Sequence, residues 1–277
     1  MSMGTSGPDA GSTPTPDPDT GPTPDTGPTP DTGPGPHPQR AEHDRRARLE
    51  RRLAELSQRV EEAAARAGRD PADITTIVVT KTYPAHDVRL LADLGVRHVG
   101  ENRVDEAMAK RADIDAGPAP RTELTWHQVG QVQTNKCGHL LRWADIVHSV
   151  DRIKLVGALE RAATRAERTI GALVQVSLDG DPSRAGAPLD ALDRVADAVA
   201  SAEHLDLLGV MAVAPLGVDP GEAFERLRAA GERVRAEHAG ATMISAGMSA
   251  DLEAAIANGA THLRVGTAVL GSRPPLH

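Results

Sequence analysis

Residues 74–84 read ITTIVVTKTYP. Ile74 to Val79 is a β-branched run, Lys81 follows almost at once, and Tyr83-Pro84 gives a turn signal. Such a run between turn residues predicts a fully buried strand that delivers one lysine to its carboxyl end. Barrels and open α/β sheets keep their chemistry at that end. Lysine is costly to bury, so taken alone Lys81 is an ordinary solvated strand-end residue. Its meaning depends on what the rest of the chain brings to it.

Upstream, Leu49, Leu53, Leu56, Val60, Ala63 and Ala67 step by threes and fours. That spacing predicts a helix, which Gly68 and Pro71 end. Downstream, strand-like runs recur at 97–100, 124–129, 145–150, 172–178, 207–213, 242–245 and 262–265. Helical patterns separate them at 86–94, 104–111, 132–143, 189–202, 222–238 and 250–258, and Asp151 is expected to cap another that runs to about Arg168. Residues 113–121 and 179–188 read as loops. Strand–helix alternation argues a parallel sheet, and eight strands argue a single closed (β/α)8 TIM barrel with an additional N-terminal helix. An open doubly wound sheet is the alternative, but no G-x-G-x-x-G follows the first strand.

The first 40 of the 277 residues are different. They hold 11 of the 21 prolines, no Val, Ile, Leu, Phe, Tyr or Trp, and the tandem repeat DTGPTP (19–24), DTGPTP (25–30), DTGPGP (31–36). With nothing to bury, residues 1–40 are expected to be a disordered Pro/Thr/Gly/Asp-rich tail, and 41–277 the barrel. The tail lacks a signal peptide's basic start and apolar core. Its five Asp and one Arg give −4, half of the net charge of −8. That mild acidity points to no nucleic-acid surface. No apolar run approaches the roughly 20 residues of a membrane span. The lone Cys137 excludes an internal disulfide and suits a reducing compartment, so a cytoplasmic protein is expected.

In a barrel the loops after the strands share one face. They would bring there Lys81, Asn102, His127, Gln131 and Ser149, then Ser245, Gly247 and Ser249, then Arg264, Gly266 and Thr267. Ser245-Ala246-Gly247-Met248-Ser249 lies between a strand and a helix, where a glycine lets backbone N–H groups approach an anion. Gly266-Thr267 is a second small-residue turn after the next strand, and phosphate sites after strands seven and eight recur in barrels. A lysine beside a phosphate cradle suits a phosphorylated carbonyl compound held as a Schiff base. A sugar phosphate and pyridoxal 5′-phosphate both fit. Arg264, inside the last strand, favours the second: a guanidinium facing a pyridine nitrogen would leave it unprotonated. His86, His98, His127, His139 and His148 lack a tight carboxylate or thiolate grouping, so they read as scattered residues and no metal site is expected.

Seven blocks in order carry a family resemblance: VVTKTYP (78–84), HVGENRVDEA (98–107), WHQVGQVQTNK (126–136), HSVDR (148–152), GVMAVAP (209–215), SAGMSADLEAAIANGAT (245–261) and LRVGTAVLGSR (263–273). Together they resemble the pyridoxal phosphate homeostasis (YggS/PROSC-like) proteins, which are related to the barrel domain of alanine racemase. The resemblance implies that Lys81 holds pyridoxal 5′-phosphate as a Schiff base. It implies that Ser245, Gly247, Met248, Ser249, Gly266 and Thr267 bind the phosphate, that Arg264 faces the pyridine nitrogen, and that Asn102 lies beside the ring. Lys136 matches a second family lysine near the barrel mouth. Tyr83 stands where the family often has lysine, Gln131 replaces a common proline, and the SKSG-like loop reads Ser183-Arg184-Ala185-Gly186.

The implied function is intracellular vitamin B6 homeostasis, storing or delivering the cofactor without efficient turnover, with no catalytic residue assigned. Racemisation needs a base on each face of the carbanion. The only tyrosine, Tyr83, is two residues from Lys81, and the chain stops just past its eighth strand. A racemase-like enzyme is the alternative, and a Schiff-base lyase acting on a sugar phosphate is a third reading. Apo-enzymes that use pyridoxal phosphate are the candidate partners, and a monomer or weak homodimer is expected.

Overall fold

The computed structural model describes residues 38–118, 123–181 and 185–271. The hexapeptide repeats, and Ser183 and Arg184 of the loop noted above, lie outside the described residues. A helix, α1, spans Pro38–Arg66. Eight parallel strands follow: β1 (Thr75–Val79), β2 (His98–Glu101), β3 (Thr125–Gln128), β4 (Ile146–Val150), β5 (Ile170–Gln175), β6 (Leu205–Met211), β7 (Met243–Ser245) and β8 (His262–Val265). They close in sequence order, with β8 returning to β1 through Ile77↔Arg264 and its neighbours. This is the expected (β/α)8 barrel.

Between the strands run α2 (Ala85–Asp93), α3 (Val104–Ala116), α4 (Cys137–Leu140), α5 (Ile153–Ala166), α6 (Leu192–Ala200), α7 (Pro220–Glu237) and α8 (Leu252–Ala257), and α9 (Thr267–Leu270) follows β8. Parallel strands need cover on both faces, which explains their continuous apolar runs. Ile77 and Val79 point into the barrel: a Cβ on Gly100 would meet their Cγ2 atoms at 3.1 and 3.3 Å. Gly100 thus makes room where two large side chains already fill a narrow interior.

Helix α1 buries Leu49, Leu56, Val60, Ala63 and Ala64. Arg45 pairs with Asp87 of α2 at 2.8 Å, and Arg59 pairs with Glu253 of α8 at 2.7 Å. The helix is therefore fixed across the outside of the seam where β8 meets β1. No helix among the described residues is long and apolar enough to cross a membrane.

Three expectations change. The helix read as 104–111 runs on to Ala116, because Asp113 and Asp115 tolerate a solvated face. The stretch read as one helix over 132–143 is a 3₁₀ turn at Thr134–Lys136 followed by the four-residue α4. Gly138 inside it weakens any longer helix. Asp151 does not cap α5: its carboxylate pairs with Arg152, and the capping position, Arg152, carries no side-chain cap bond.

β6 contains a register shift: Ala172 pairs with Leu207 but Leu173 pairs with Gly209, so Leu208 is the extra residue. Gly209 there has φ +146°, and a Cβ on it would lie 2.0 Å from the Met243 carbonyl oxygen of β7. Gly209→Ala should therefore cost roughly 2–5 kcal/mol through strain and overpacking. Thermal unfolding followed by circular dichroism should show Tm lower by roughly 5–15 °C.

Candidate functional site

Lys81 leaves β1 one residue beyond Thr80, and the chain turns at once, with the Tyr83 N–H donating to the Thr80 carbonyl at 3.0 Å. Thr82 in this turn has φ +70°. A β-branched residue in the left-handed region is an outlier that costs of order 1–3 kcal/mol, and such strain collects at functional sites. Behind the lysine, the Thr80 hydroxyl donates to buried Glu101 at 2.6 Å. The Lys110 ammonium donates to the same carboxylate at 2.5 Å and to the Thr80 carbonyl at 2.8 Å. This clamp fixes the ends of β1 and β2, and therefore the origins of Lys81 and Asn102.

Asn102 is held in its turn. Gln128 Nε2 donates to its carbonyl at 3.0 Å and to the Gly130 carbonyl at 2.8 Å, and Ser149 Oγ donates to Gly130 at 2.6 Å. A Cβ on Gly130 would lie 2.2 Å from Asn102 Oδ1, so only glycine leaves the amide its place.

Across the mouth, the loops after β7 and β8 are fastened to each other. Ser249 Oγ accepts from Thr267 Oγ1 at 3.1 Å and from the Ala268 N–H at 3.3 Å. Arg59 of α1 reaches the Ser249 carbonyl at 3.3 Å. Gly247 has φ +87°, and a Cβ there would meet Ala255 at 2.6 Å. Close packing on α8 thus requires this glycine. α8 starts only at Leu252 and has six residues, so the loops, more than a helix dipole, face the mouth. The Asp251 carboxylate accepts from the Met248 N–H at 2.5 Å, an anion on this loop that the sequence reading missed.

Between the two sides lies a cavity of about 390 Å³, lined by Lys81, Tyr83, Asn102, Met248, Ser249, Arg264, Gly266 and Thr267 with Val79, Val129 and Val213. Of the predicted residues, Ser245 and Gly247 stand behind this wall. Lys136, half-buried in the connection after β3, does not line the cavity: it pairs with Asp105 at 2.7 Å, and His139 joins the same carboxylate at 2.9 Å. The Lys136 and His139 bonds hold Asp105 below the usual carboxylate range. Two wider hollows, about 630 and 650 Å³, share Arg97 and His98 near the amino ends of the strands. They gather no lysine and no paired glycine-serine loops.

Arg264 is the principal electrostatic feature. Its guanidinium is buried in β8 and donates to Ser245 Oγ at 2.7 Å and to the Ala212 carbonyl at 2.8 Å. Among the described residues no carboxylate pairs with it. Burial pulls its pKa down to about 10, opposed by the charge of Asp251, so it remains a cation at neutral pH.

Three of the five histidines read as scattered, His98, His127 and His148, lie together. His98 Nδ1 lies 3.0 Å from His127 Nε2, His127 Nδ1 2.9 Å from His148 Nε2, and His148 Nδ1 2.9 Å from Ser245 Oγ. Burial pushes His127 and His148 well below the usual imidazole range, with neighbouring histidines adding to the effect. The sequence carried a signal for this cluster: HVGE, TWHQ and IVHSV each place a histidine in one of three consecutive strands.

Residues 52–274 match the family model for the alanine racemase N-terminal domain. The chain is 46% identical over 235 residues to the pyridoxal phosphate homeostasis protein of Mycobacterium tuberculosis, covering 80% of this chain and 91% of that one. It is 35% identical over 227 residues to the protein of the same name from Escherichia coli, covering 80% and 95%. The structure of PipY from Synechococcus elongatus with pyridoxal phosphate bound superposes with a TM-score of 0.69 at 32% identity, over 80% of this chain and all of that one. An alanine racemase from Corynebacterium glutamicum, 14% identical with a TM-score of 0.60, shares the fold over 84% of this chain and 63% of its own.

The buried imidazoles set an acid limit. Burial lowers His262 to about 4. In the unfolded chain it titrates near 6.5, so the folded state binds fewer protons as pH falls below that value. Its contribution is complete above about pH 6.5 and is lost progressively toward pH 4, roughly 2–4 kcal/mol in all. Urea unfolding at stepped pH should show this slope, and His262→Gln should make it shallower, leaving the share of the buried His127 and His148.

Proposed function

Since the chain belongs to the pyridoxal phosphate homeostasis proteins, within the alanine racemase N-terminal-domain family, we propose that it binds pyridoxal 5′-phosphate, with Lys81 as the point of covalent attachment. The observation that carries this reading is one cavity that joins Lys81, a buried guanidinium without a carboxylate partner among the described residues, and the fastened loops of Ser249 and Thr267. The site fits such a group. Its volume suits a small flat ligand, with Val79, Val129, Val213 and Met248 as apolar walls. Ser249 and Thr267 offer hydroxyls to a phosphate at one end, and Arg264 offers N–H donors to a ring nitrogen at the other.

When bound, the cofactor supplies an aldehyde for amine condensation and a ring that withdraws electrons. Lys81 contributes the amine, and the strained turn at Thr82 with the Glu101 clamp fixes where that amine starts. Asn102 orients the ring beside it. Arg264 can donate but not accept, so it leaves a facing nitrogen unprotonated and the ring a weak electron sink. The Tyr83 hydroxyl donates to the Gly271 carbonyl at 2.8 Å, which argues against a role as the opposing base. These features support a carrier in vitamin B6 homeostasis over a racemase-like enzyme.

The purified protein should show a visible absorption band on adding pyridoxal phosphate, and Lys81→Ala should lose or shift it. A colourless wild type would overturn the reading. The Asp251 carboxylate opposes an incoming phosphate, so Asp251→Asn should tighten cofactor binding roughly three- to tenfold, or about 1 kcal/mol. Fluorescence titration of cofactor-stripped protein measures that change.

A further inference from the structure

We propose that His98, His127 and His148 are positioning residues for Arg264, joined to it through Ser245 in one hydrogen-bonded chain whose direction the guanidinium sets. The chain crosses the barrel from β2 through β3 and β4 to β7 and β8. His98, at its outer end, is half-buried and borders the two hollows near the amino ends of the strands. Arg264, at its inner end, lines the proposed cofactor cavity. The hydrogen bonds stand independently of any cofactor; their consequence for the site rests on the reading above.

The direction follows from donor and acceptor counting. Arg264 can only donate, so Ser245 Oγ accepts from it at 2.7 Å. The Ser245 hydroxyl proton then points to His148 Nδ1, 2.9 Å away. With Nδ1 accepting, a neutral His148 carries its proton on Nε2 and donates to His127 Nδ1. His127 in turn carries its proton on Nε2 and donates to His98 Nδ1. Every polar atom from Ser245 to His98 Nδ1 is satisfied by this one arrangement. In the reverse arrangement His148 and Arg264 would both donate to Ser245 Oγ, and the serine proton would lose its acceptor.

Burial keeps the inner imidazoles neutral, as the direction requires. The charged and titratable groups around the chain act the same way. His98 faces Arg97, His127 and His262; His127 faces His98 and His262; His148 faces His127, His262 and Arg264. The Asp251 charge bears on the Arg264 end alone.

A proton from solvent on His98 Nδ1 would set two N–H groups against each other across the His98–His127 contact. The contact then breaks, or His127 and His148 each move their single proton from Nε2 to Nδ1. The second course takes up one proton in all, retained on a doubly protonated His98. It leaves two donors on Ser245 Oγ and loosens the Arg264 guanidinium. Protonation at the amino-terminal end of the barrel is thus felt at the cofactor cavity.

The test is long-range ¹H–¹⁵N correlation spectroscopy of the full-length chain labelled with ¹⁵N-histidine, cofactor-free and loaded, with signals assigned through single His→Gln variants. Between about pH 6 and 8, His127 and His148 should both be neutral Nε2–H tautomers. An Nδ1–H tautomer or a cation at either position would overturn the proposal. Ser245→Ala should release the direction, giving His148 a mixed tautomer signal, while Ser245→Thr should restore it. An unchanged His148 in Ser245→Ala would also count against the chain. If that variant does not fold, the wild-type tautomers decide. In the loaded protein, the visible band should hold while His98 is neutral and shift as pH falls and His98, held below the usual imidazole range by burial, takes up its proton; in Ser245→Ala it should not follow His98, and a wild-type band indifferent to His98 would remove the positioning role. A colourless protein with the expected tautomers would refute cofactor binding and the consequence for it, and confirm the chain.

Discussion

A guanidinium buried in the last strand of the barrel, paired with a serine and a backbone carbonyl, is the constraint on which the rest of the site depends. A charge in that position is costly unless its donors are satisfied and something with a lone pair or negative charge faces it. Arg264 meets the first condition through Ser245 and Ala212. The second is met by the cavity it borders, where a ligand acceptor can complete the set. Three neutral imidazoles, aligned by the same serine, extend that constraint across the barrel.

The fold supplies rigidity at the points where the chemistry begins. The Thr80–Glu101–Lys110 clamp joins two strand ends, the Gln128–Ser149–Gly130 contacts hold Asn102, and Ser249 ties two loops together. Arg59 links that last loop to α1, so the added helix braces the mouth as well as the seam between β8 and β1. The segments that carry Lys81, Asn102 and Ser249 are thus each held by a contact outside the cavity, which is how a site on loops keeps its geometry.

Much of this was legible in the sequence. Apolar runs between turn residues locate the eight strands to within three residues at either end, because a parallel strand must be apolar on both faces. Lys81, Asn102, Ser249, Arg264, Gly266 and Thr267 follow from strand-end position and Met248 from the family resemblance, and they share one cavity. What stayed hidden was tertiary. The close packing of Gly247 on Ala255, a second reason for glycine there, is invisible in the local sequence. Asp251 and the histidine chain depend on which side chains meet across turns and strands, and periodicity within one segment cannot report that. The short α4 was overread because helical spacing in 132–143 does not register the backbone cost of Gly138.

The central claim, that Lys81 carries the cofactor, is tested most directly by trapping the link. The protein loaded with pyridoxal phosphate would be reduced with borohydride, digested and mapped by mass spectrometry. The chain has four lysines, Lys81, Lys110, Lys136 and Lys154, so the assignment is unambiguous. The account predicts a phosphopyridoxyl group on the peptide that contains Lys81. A label on Lys110, Lys136 or Lys154 with Lys81 unmodified, or no label on a loaded protein, would contradict it.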